Sequence, residues 1–264
     1  MTSKEKGALT SYFHYGHRVK DQDFFFAPMF RHPTFTDQEY ACGGTWIGET
    51  FAITTAHCLT YHDIKMVGHL GEDNDWHVIL DKPKTFGFPV QNKYVYANYS
   101  EEGDRFYEND IGLVKVEIYD RFPLKFLPKI FTWESDWRDI QSKPVLMHGL
   151  GKTENDEYAS YLKYMKGKLH LQDGHSVKNC NLPAVKMEMA FCMEPVEPFD
   201  EIDDGDMGNV VYYDVADPDN FGHENRVIVG IVSNSYGDPR NIVLTNVSKY
   251  VRWINQKILE DIAG

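Results

Sequence analysis

Short runs of apolar residues, separated by Gly, Pro, Asn and Asp, recur along most of this sequence. Many short runs with frequent turn signals are typical of β-barrels and β-sandwiches. Near the C-terminus the apolar residues recur at helical spacing instead. We therefore predict an all-β fold that ends in one amphipathic helix. The runs include Gly44–Ile47, Phe51–Thr54, Ile111–Val116, Val145–Met147, Val210–Tyr213 and Val227–Val232, and the helical positions are Val247, Tyr250, Val251, Ile254 and Ile258.

Composition narrows the class of protein. The 264 residues are 42% hydrophobic and include 16 Tyr and 16 Phe, which is enough for a large packed core. The net charge of −13 argues against a nucleic-acid partner, because phosphate contacts need an excess of Lys and Arg. No apolar run approaches the roughly 18 residues of a membrane helix, so we expect no membrane association.

The cysteines and two sequons bear on the cellular compartment. Four cysteines allow three pairings, and neither a C-x-x-C nor a Cys/His zinc pattern is present, so no metal or other cofactor is predicted. Possible glycosylation at Asn98 and Asn246 suits an exported protein. The polar stretch from residue 1 to residue 20 lacks the apolar core of a signal peptide.

Three separated blocks occur in the order known from one protease family. They are Cys42-Gly43-Gly44-Thr45-Trp46-Ile47 with Thr54-Thr55-Ala56-His57-Cys58, then Asn109-Asp110-Ile111-Gly112-Leu113-Val114, then Gly205-Asp206-Met207-Gly208-Asn209. The chain resembles the trypsin/chymotrypsin family from about residue 19 to the end. The resemblance implies a double six-stranded β-barrel followed by a C-terminal helix.

The resemblance also divides the chain and pairs its cysteines. It implies an N-terminal extension at 1–18, a protease-like domain at 19–264, a first barrel at about 30–125, a second at about 140–246 and a helix at 247–262. A poorly periodic stretch, Tyr119–Lys143, would connect the two barrels. The implied disulfides are Cys42–Cys58 and Cys180–Cys192.

The catalytic positions implied by the resemblance are incomplete. His57 and Asp110 match the family's base and its orienting acid, and Ser233 matches a serine that hydrogen-bonds this acid. The nucleophile position holds Met207, whose thioether has no proton for His57 to remove. No Ser or Thr lies between Ser176 and Ser233, so no neighbouring hydroxyl offers a substitute.

The substrate-binding positions have changed as well. The resemblance places Asn234 and Ser235 where the family has Trp and Gly along the pocket wall. Ile242 replaces a pocket glycine, and its side chain should fill the space that glycine leaves open. Glu201 matches the pocket floor, where trypsin has Asp. Glu72 resembles the start of a calcium loop, but the matching distal acid is Lys82, so calcium is not expected.

Activation by cleavage also lacks its usual signature. In the family a new N-terminal amine pairs with the Asp before the nucleophile, which corresponds to Asp206. The nearest upstream candidate, Arg18-Val19-Lys20-Asp21, lacks the two family glycines. Without that cleavage, Asp206 needs another partner or must be solvated.

We therefore predict a secreted, catalytically inactive protease homologue that acts by binding a protein such as a protease, an inhibitor or an immune factor, and regulates a protease cascade or immune process. Alternatives are an active serine endopeptidase, which needs an unrecognised nucleophile, and a structural or storage protein. For the vestigial His57–Asp110 pair, a stabilising role is favoured over catalysis. An acidic run from Glu194 to Asp206 would border the former substrate entrance, either as a solvated loop or as a binding surface.

Overall fold

The computed structural model describes sixteen stretches of the chain, and all structural statements below refer to these. They are residues 17–18, 29–31, 42–48, 50–60, 65–67, 87–88, 90–100, 108–117, 129–130, 140, 143–149, 163–170, 189–202, 205–216, 224–236 and 238–263.

Strands dominate the described residues, with one short and one longer α-helix. The strands are β1 (His17–Arg18), β2 (Met29–Arg31), β3 (Thr45–Trp46), β4 (Phe51–Thr54), β5 (Lys65–Val67), β6 (Gly87–Phe88), β7 (Val90–Val95), β8 (Gly112–Val116), β9 (Lys129–Ile130), β10 (Val145–Gly149), β11 (Lys163–His170), β12 (Ala190–Pro195), β13 (Val210–Ala216), β14 (Glu224–Tyr236) and β15 (Asp238–Asn246). The helices are α1 (Ala56–Thr60) and α2 (Val251–Ala263). Neither helix has the length and apolar character that spanning a bilayer requires.

Six strands of the second half form a closed antiparallel barrel. Their order is β11-β10-β13-β14-β15-β12, and β12 returns to pair with β11. Two further strands join this barrel at its edges: β1 pairs with β11, and β9 pairs in parallel with β14. The predicted extension at 1–18 therefore contributes two residues to the sheet. The predicted connection from 119 to 143 contributes a short strand.

The first half consists of two sheets in the described residues. Strands β3-β4-β8-β7 form one sheet and β2-β5-β6 the other. The closure of a first six-stranded barrel lies outside the described residues. The predicted all-β fold of the double-barrel type is confirmed. The described residues show one closed barrel, two further sheets and the terminal helix.

A single apolar cluster joins the two halves. Ile53 and Leu113 come from β4 and β8 of the first half, whereas Tyr212 and Ile231 come from β13 and β14 of the barrel, and all four are fully buried. Burial of such side chains stabilises each by about 1.5 to 3 kcal/mol. The residues that carry the candidate site are therefore attached to a shared core.

The C-terminal segment packs on the first half. Val247–Tyr250 forms one 3-10 turn before α2 begins at Val251, so the α-helix starts later than the predicted residue 247. Tyr96 meets the rings of Tyr250 and Trp253 edge to face, with centroids 5.0 and 5.4 Å apart.

An ion pair fixes the far end of the same helix. Asp261 pairs with Lys115 of β8 and accepts a 2.7 Å hydrogen bond from the Tyr94 hydroxyl. Hydrogen bonding to Lys115 lowers the pKa of Asp261. The helix thus braces β7 and β8, the strands that flank the Asn109–Asp110 loop.

Candidate active site

The carboxylate of Asp110 is the centre of the candidate site. Asp110 is fully buried, and its Oδ1 accepts the backbone N–H of His57 at 2.9 Å. Its Oδ2 lies 2.7 Å from His57 Nδ1 and accepts the Ser233 hydroxyl at 2.6 Å. A buried carboxylate needs such charge-assisted hydrogen bonds, because burial without them is costly.

The loop before β8 presents Asp110 in an unusual backbone conformation. Asn109 has φ 57°, in the left-handed region that Asn tolerates better than most residues. Its side-chain oxygen accepts a 2.9 Å hydrogen bond from the Tyr250 hydroxyl, and its Nδ2 donates to the carbonyl of Asn98 at 2.9 Å. Sequence analysis missed this support, although an Asn before the predicted acid was a usable signal for a positive φ.

A β-bulge directs Ser233 toward the acid. The register between β14 and β15 shifts between Val232 and Asn234, so Ser233 is the extra residue on its strand. Bulges re-aim side chains and often do so next to active sites. A further unpredicted contact comes from β15, where the Thr245 hydroxyl donates to the backbone carbonyl of Asp110 at 2.9 Å.

The position of Met207 is fixed by its backbone. Gly205 and Gly208 on either side have φ 92° and 86°, which favour glycine. The carbonyl of Met207 accepts the N–H of Gly43 at 2.6 Å, and the N–H of Gly208 donates to the carbonyl of Val232 at 2.8 Å. The Met207 carbonyl oxygen also lies 4.0 Å from the sulfur of Cys58, the residue after His57. Met207 therefore stands beside the helix turn that carries the imidazole.

Three described hydroxyl groups of this region donate to groups other than the His57 ring. Thr54 donates to the carbonyl of Gly43 and Thr55 to the sulfur of Cys58, each at 2.8 Å, while Ser233 donates to Asp110. His57 itself is 8% exposed. Asp110 holds the Nδ1 side of the ring, and Nε2 lies 3.4 Å from the Cys58 sulfur. The thioether of Met207 has no proton that an imidazole could remove.

Three of the four residues predicted to line the pocket lie on the adjacent strands β14 and β15, and Glu201 lies in the segment after β12. Ile242 is fully buried in a second apolar cluster of the barrel, and half-buried Met207 packs against that cluster. Ile242 is paired in register with Ser235, and the backbone N–H of Ser235 donates to Asn234 Oδ1 at 2.8 Å. Asn234, Ser235 and Glu201 are half-buried. Ile242, the residue predicted to fill the pocket, is therefore a buried member of the barrel core.

Comparison with known proteins identifies the family of this chain. The family model described as Trypsin matches residues 16–254. The chain belongs to the trypsin family. A curated relative from Holotrichia diomphalia, named phenoloxidase-activating factor 1, is 22% identical over 239 residues, which is 84% of this chain and 62% of that protein. The chain therefore spans less than two thirds of this relative's length.

In this trypsin-family chain, a disulfide closes the segment that bears His57. Cys42 and Cys58 are bonded at an S–S distance of 1.97 Å, with their Cα atoms 6.1 Å apart. Closing a loop of this size stabilises a fold by about 3 kcal/mol in the chain-entropy estimate. Cys192 is also disulfide-bonded, while Cys180, its predicted partner, lies outside the described residues. The activation candidate after Arg18 also falls at the end of the described β1, since Val19 is outside the description.

Burial in the structure changes two expectations from the sequence, namely glycosylation at Asn246 and a solvated Asp206. Asn98 is exposed, but Asn246 is only 9% exposed and its Oδ1 accepts the Ser248 hydroxyl at 2.7 Å. A glycan on Asn246 would have to displace these packed contacts, so of the two sequons only Asn98 has an accessible acceptor in the fold. Asp206 is fully buried rather than solvated, and Asn209 Nδ2 donates to it at 3.4 Å.

The acidic run from Glu194 to Asp206 is also less exposed than the solvated loop that was one of its two interpretations. Glu197 is exposed, Glu194 and Glu201 are half-buried, and Asp203 and Asp204 lie outside the described residues. Asp200 is 1% exposed, and its Oδ2 accepts no hydrogen bond from any described residue. Burial, followed by repulsion from Glu197, raises the pKa of Asp200 to about 7, although Arg240 partly offsets this.

The pKa of Asp200 predicts how stability depends on pH. Its folded-state value of about 7 lies above the ordinary 3.8, so the folded chain holds the proton more tightly. The free energy of unfolding should therefore fall as pH rises from about 4 to 7. Asp200→Asn removes the ionisation, and its stability relative to the native protein should rise between pH 5 and pH 8, measured by urea unfolding.

Asp261→Asn serves as the matched control for this measurement. The pKa of Asp261 is lowered, so its carboxylate is ionised in folded and unfolded chains at both pH values. The stability difference between Asp261→Asn and the native protein should be the same at pH 5 and pH 8. A pH-independent difference for Asp200→Asn as well would contradict the assignment of a perturbed Asp200.

Proposed function

We propose that this chain is a secreted, non-proteolytic member of the trypsin family that acts by binding another protein. The observation that carries the proposal is Met207 on the loop fixed by Gly205 and Gly208, next to an otherwise assembled His57–Asp110–Ser233 arrangement. Acyl transfer needs a nucleophile at this point. Loss of the nucleophile in such a triad lowers turnover by about a million-fold.

The filled pocket supports the same proposal. Proteolysis by this fold requires a cavity for a substrate side chain as well as a nucleophile. Ile242 is fully buried in the cluster on which Met207 packs, so both changes remove requirements for cleavage while preserving the core. Restoring one of them leaves the other in place.

Export is supported by the disulfides of the described chain. Cys42–Cys58 is formed and Cys192 is bonded, and such bonds persist mainly in oxidising compartments. The relative from Holotrichia diomphalia is named as an activating factor. Regulation of a protease cascade through protein contacts fits that name and the loss of the nucleophile.

The exposed turn after β12 is the surface that we propose for binding. Phe199 is 70% exposed and Val196 is 42% exposed, and exposed Glu197 lies between them. Exposed aromatic residues are enriched at interface centres, and flanking charge selects the partner's surface. A partner with an apolar patch bordered by Lys or Arg would complement this turn.

If proteolysis is lost as proposed, the native protein should show no cleavage activity, and Met207→Ser should not restore it. Neither the native protein nor Met207→Ser should cleave small trypsin or chymotrypsin substrates, because Ile242 still fills the pocket position. Initial rates should stay at the level of a Met207→Ala control purified in parallel. Robust turnover by Met207→Ser would show that the pocket is open, and turnover by the native protein would defeat the proposal.

The proposed binding turn predicts which substitution abolishes partner capture. Phe199→Ala should lose the protein that the immobilised native chain captures from its native fluid, because hot-spot aromatics commonly contribute 2 kcal/mol or more, roughly a 30-fold loss of affinity. Leu259→Ala is the matched control, since Leu259 is 65% exposed on α2, away from this turn. Capture that survives Phe199→Ala but not Leu259→Ala would place the interface on the helix.

A further inference from the structure

The disulfide and the histidine of the candidate site lie unusually close together. Cys58 Sγ is 3.4 Å from His57 Nε2. The sulfurs of Cys42 and Cys58 and a ring nitrogen of His57 all lie within 4.8 Å of one another. In the oxidised protein the sulfurs are bonded to each other, so they offer no thiolate to a metal ion.

We propose that reduction of the Cys42–Cys58 disulfide converts this cluster into a Zn²⁺ site with two thiolates and the His57 imidazole as ligands. Zn–S distances of about 2.3 Å and Zn–N distances of about 2.0 Å in a tetrahedron place the sulfur and nitrogen about 3.5 Å apart. The 3.4 Å separation of Cys58 Sγ and His57 Nε2 already matches this value. Only the Cys42 sulfur must withdraw from its bonded partner.

The groups around the cluster favour metal binding by the reduced form. His57 Nδ1 is hydrogen-bonded to Asp110 at 2.7 Å, and Nε2 is the ring nitrogen that lies beside Cys58 Sγ, so Nε2 is the atom placed to coordinate. A carboxylate behind a ligating imidazole is the usual arrangement in zinc sites, and it fixes the ring and raises its basicity. The Thr55 hydroxyl points at Cys58 Sγ from 2.8 Å and would donate to a thiolate there.

The conversion balances with a dithiol as the reductant. The dithiol supplies two electrons and two protons, becomes a disulfide itself, and leaves Cys42 and Cys58 as thiols. Zn²⁺ then displaces both thiol protons and binds the two thiolates together with neutral His57. A water molecule takes the fourth position, as in zinc centres with three protein ligands. The inference concerns the reduced chain alone and does not depend on the proposed function.

The test compares metal binding before and after reduction. The full chain is reduced with excess dithiothreitol under argon until thiol counting is complete, freed of reductant by gel filtration, and titrated with Co²⁺ and then Zn²⁺. The reduced chain should bind one ion, with the visible absorption of tetrahedral Co²⁺–thiolate, and the oxidised chain should bind none at this site. Zinc should also protect Cys42 and Cys58 from alkylation while Cys180 and Cys192 react.

Substitutions separate this site from adventitious thiol binding. His57→Ala should weaken Zn²⁺ binding at least ten-fold, whereas His170→Ala, a half-buried histidine paired with Glu194, should leave it unchanged. Asp110→Asn should weaken binding by about 10 to 100-fold, because His57 then loses the carboxylate that fixes its ring and raises its basicity. If reduction unfolds the chain, Zn²⁺ should restore its near-ultraviolet dichroism, because binding energy is then folding energy. The proposal would be overturned if Zn²⁺ did not protect Cys42 and Cys58 from alkylation. It would also be overturned if the native and His57→Ala chains bound Zn²⁺ with equal affinity.

Discussion

The buried carboxylate of Asp110 is the constraint on which the arrangement of the two halves depends. It is fully buried, and its oxygens are satisfied by the backbone and ring of His57 from the first half and by Ser233 from the second. Removing one donor from a buried charge costs several kcal/mol, since the charge is then left uncompensated. The backbone carbonyl of Asp110 also accepts the Thr245 hydroxyl, so two strands of the barrel, β14 and β15, hold this loop.

This requirement gives the His57–Asp110 pair a structural role that does not depend on catalysis. His57 supplies two of the hydrogen bonds that Asp110 needs, and it supplies them whether or not a nucleophile stands in front of Nε2. The Met207 loop is likewise held by Gly43 and Val232 through backbone atoms, which do not depend on the side chain at position 207. The backbone contacts of this loop therefore accommodate a thioether at position 207.

Much of the fold could be predicted from local patterns. The run Phe51–Thr54, which predicted a strand, forms β4 with the same bounds, and its four side chains are all buried. The helix start was predicted too early, since periodicity cannot distinguish a 3-10 turn from the first turn of an α-helix. Likewise, β1 at His17–Arg18 was missed, because pairing with distant Lys163 and Tyr164 leaves no trace in two residues of sequence.

The site was predictable in its members and less so in their environments. Ordered motifs pointed to His57 and Asp110, which the structure brings together, whereas Met207 as the nucleophile position stays a prediction. The bulge at Ser233 and the donation from Thr245 arise from long-range register. Burial of Asp200 was hidden by its place in an acidic run, and burial of Asn246 by a sequon that suggested an exposed acceptor. The proximity of the disulfide to His57 Nε2 depends on side-chain geometry, so no spacing rule for metal ligands could have revealed it.

The proposed function depends on Met207 standing in for the nucleophile, with no described hydroxyl group bonded to the His57 ring. The most direct measurement is intact-mass analysis of the folded, oxidised chain after exposure to a fluorophosphonate probe, with active trypsin treated in parallel. The account predicts no covalent adduct on this chain under conditions that label trypsin completely. A stoichiometric adduct, mapped to a Ser or Thr hydroxyl, would contradict it.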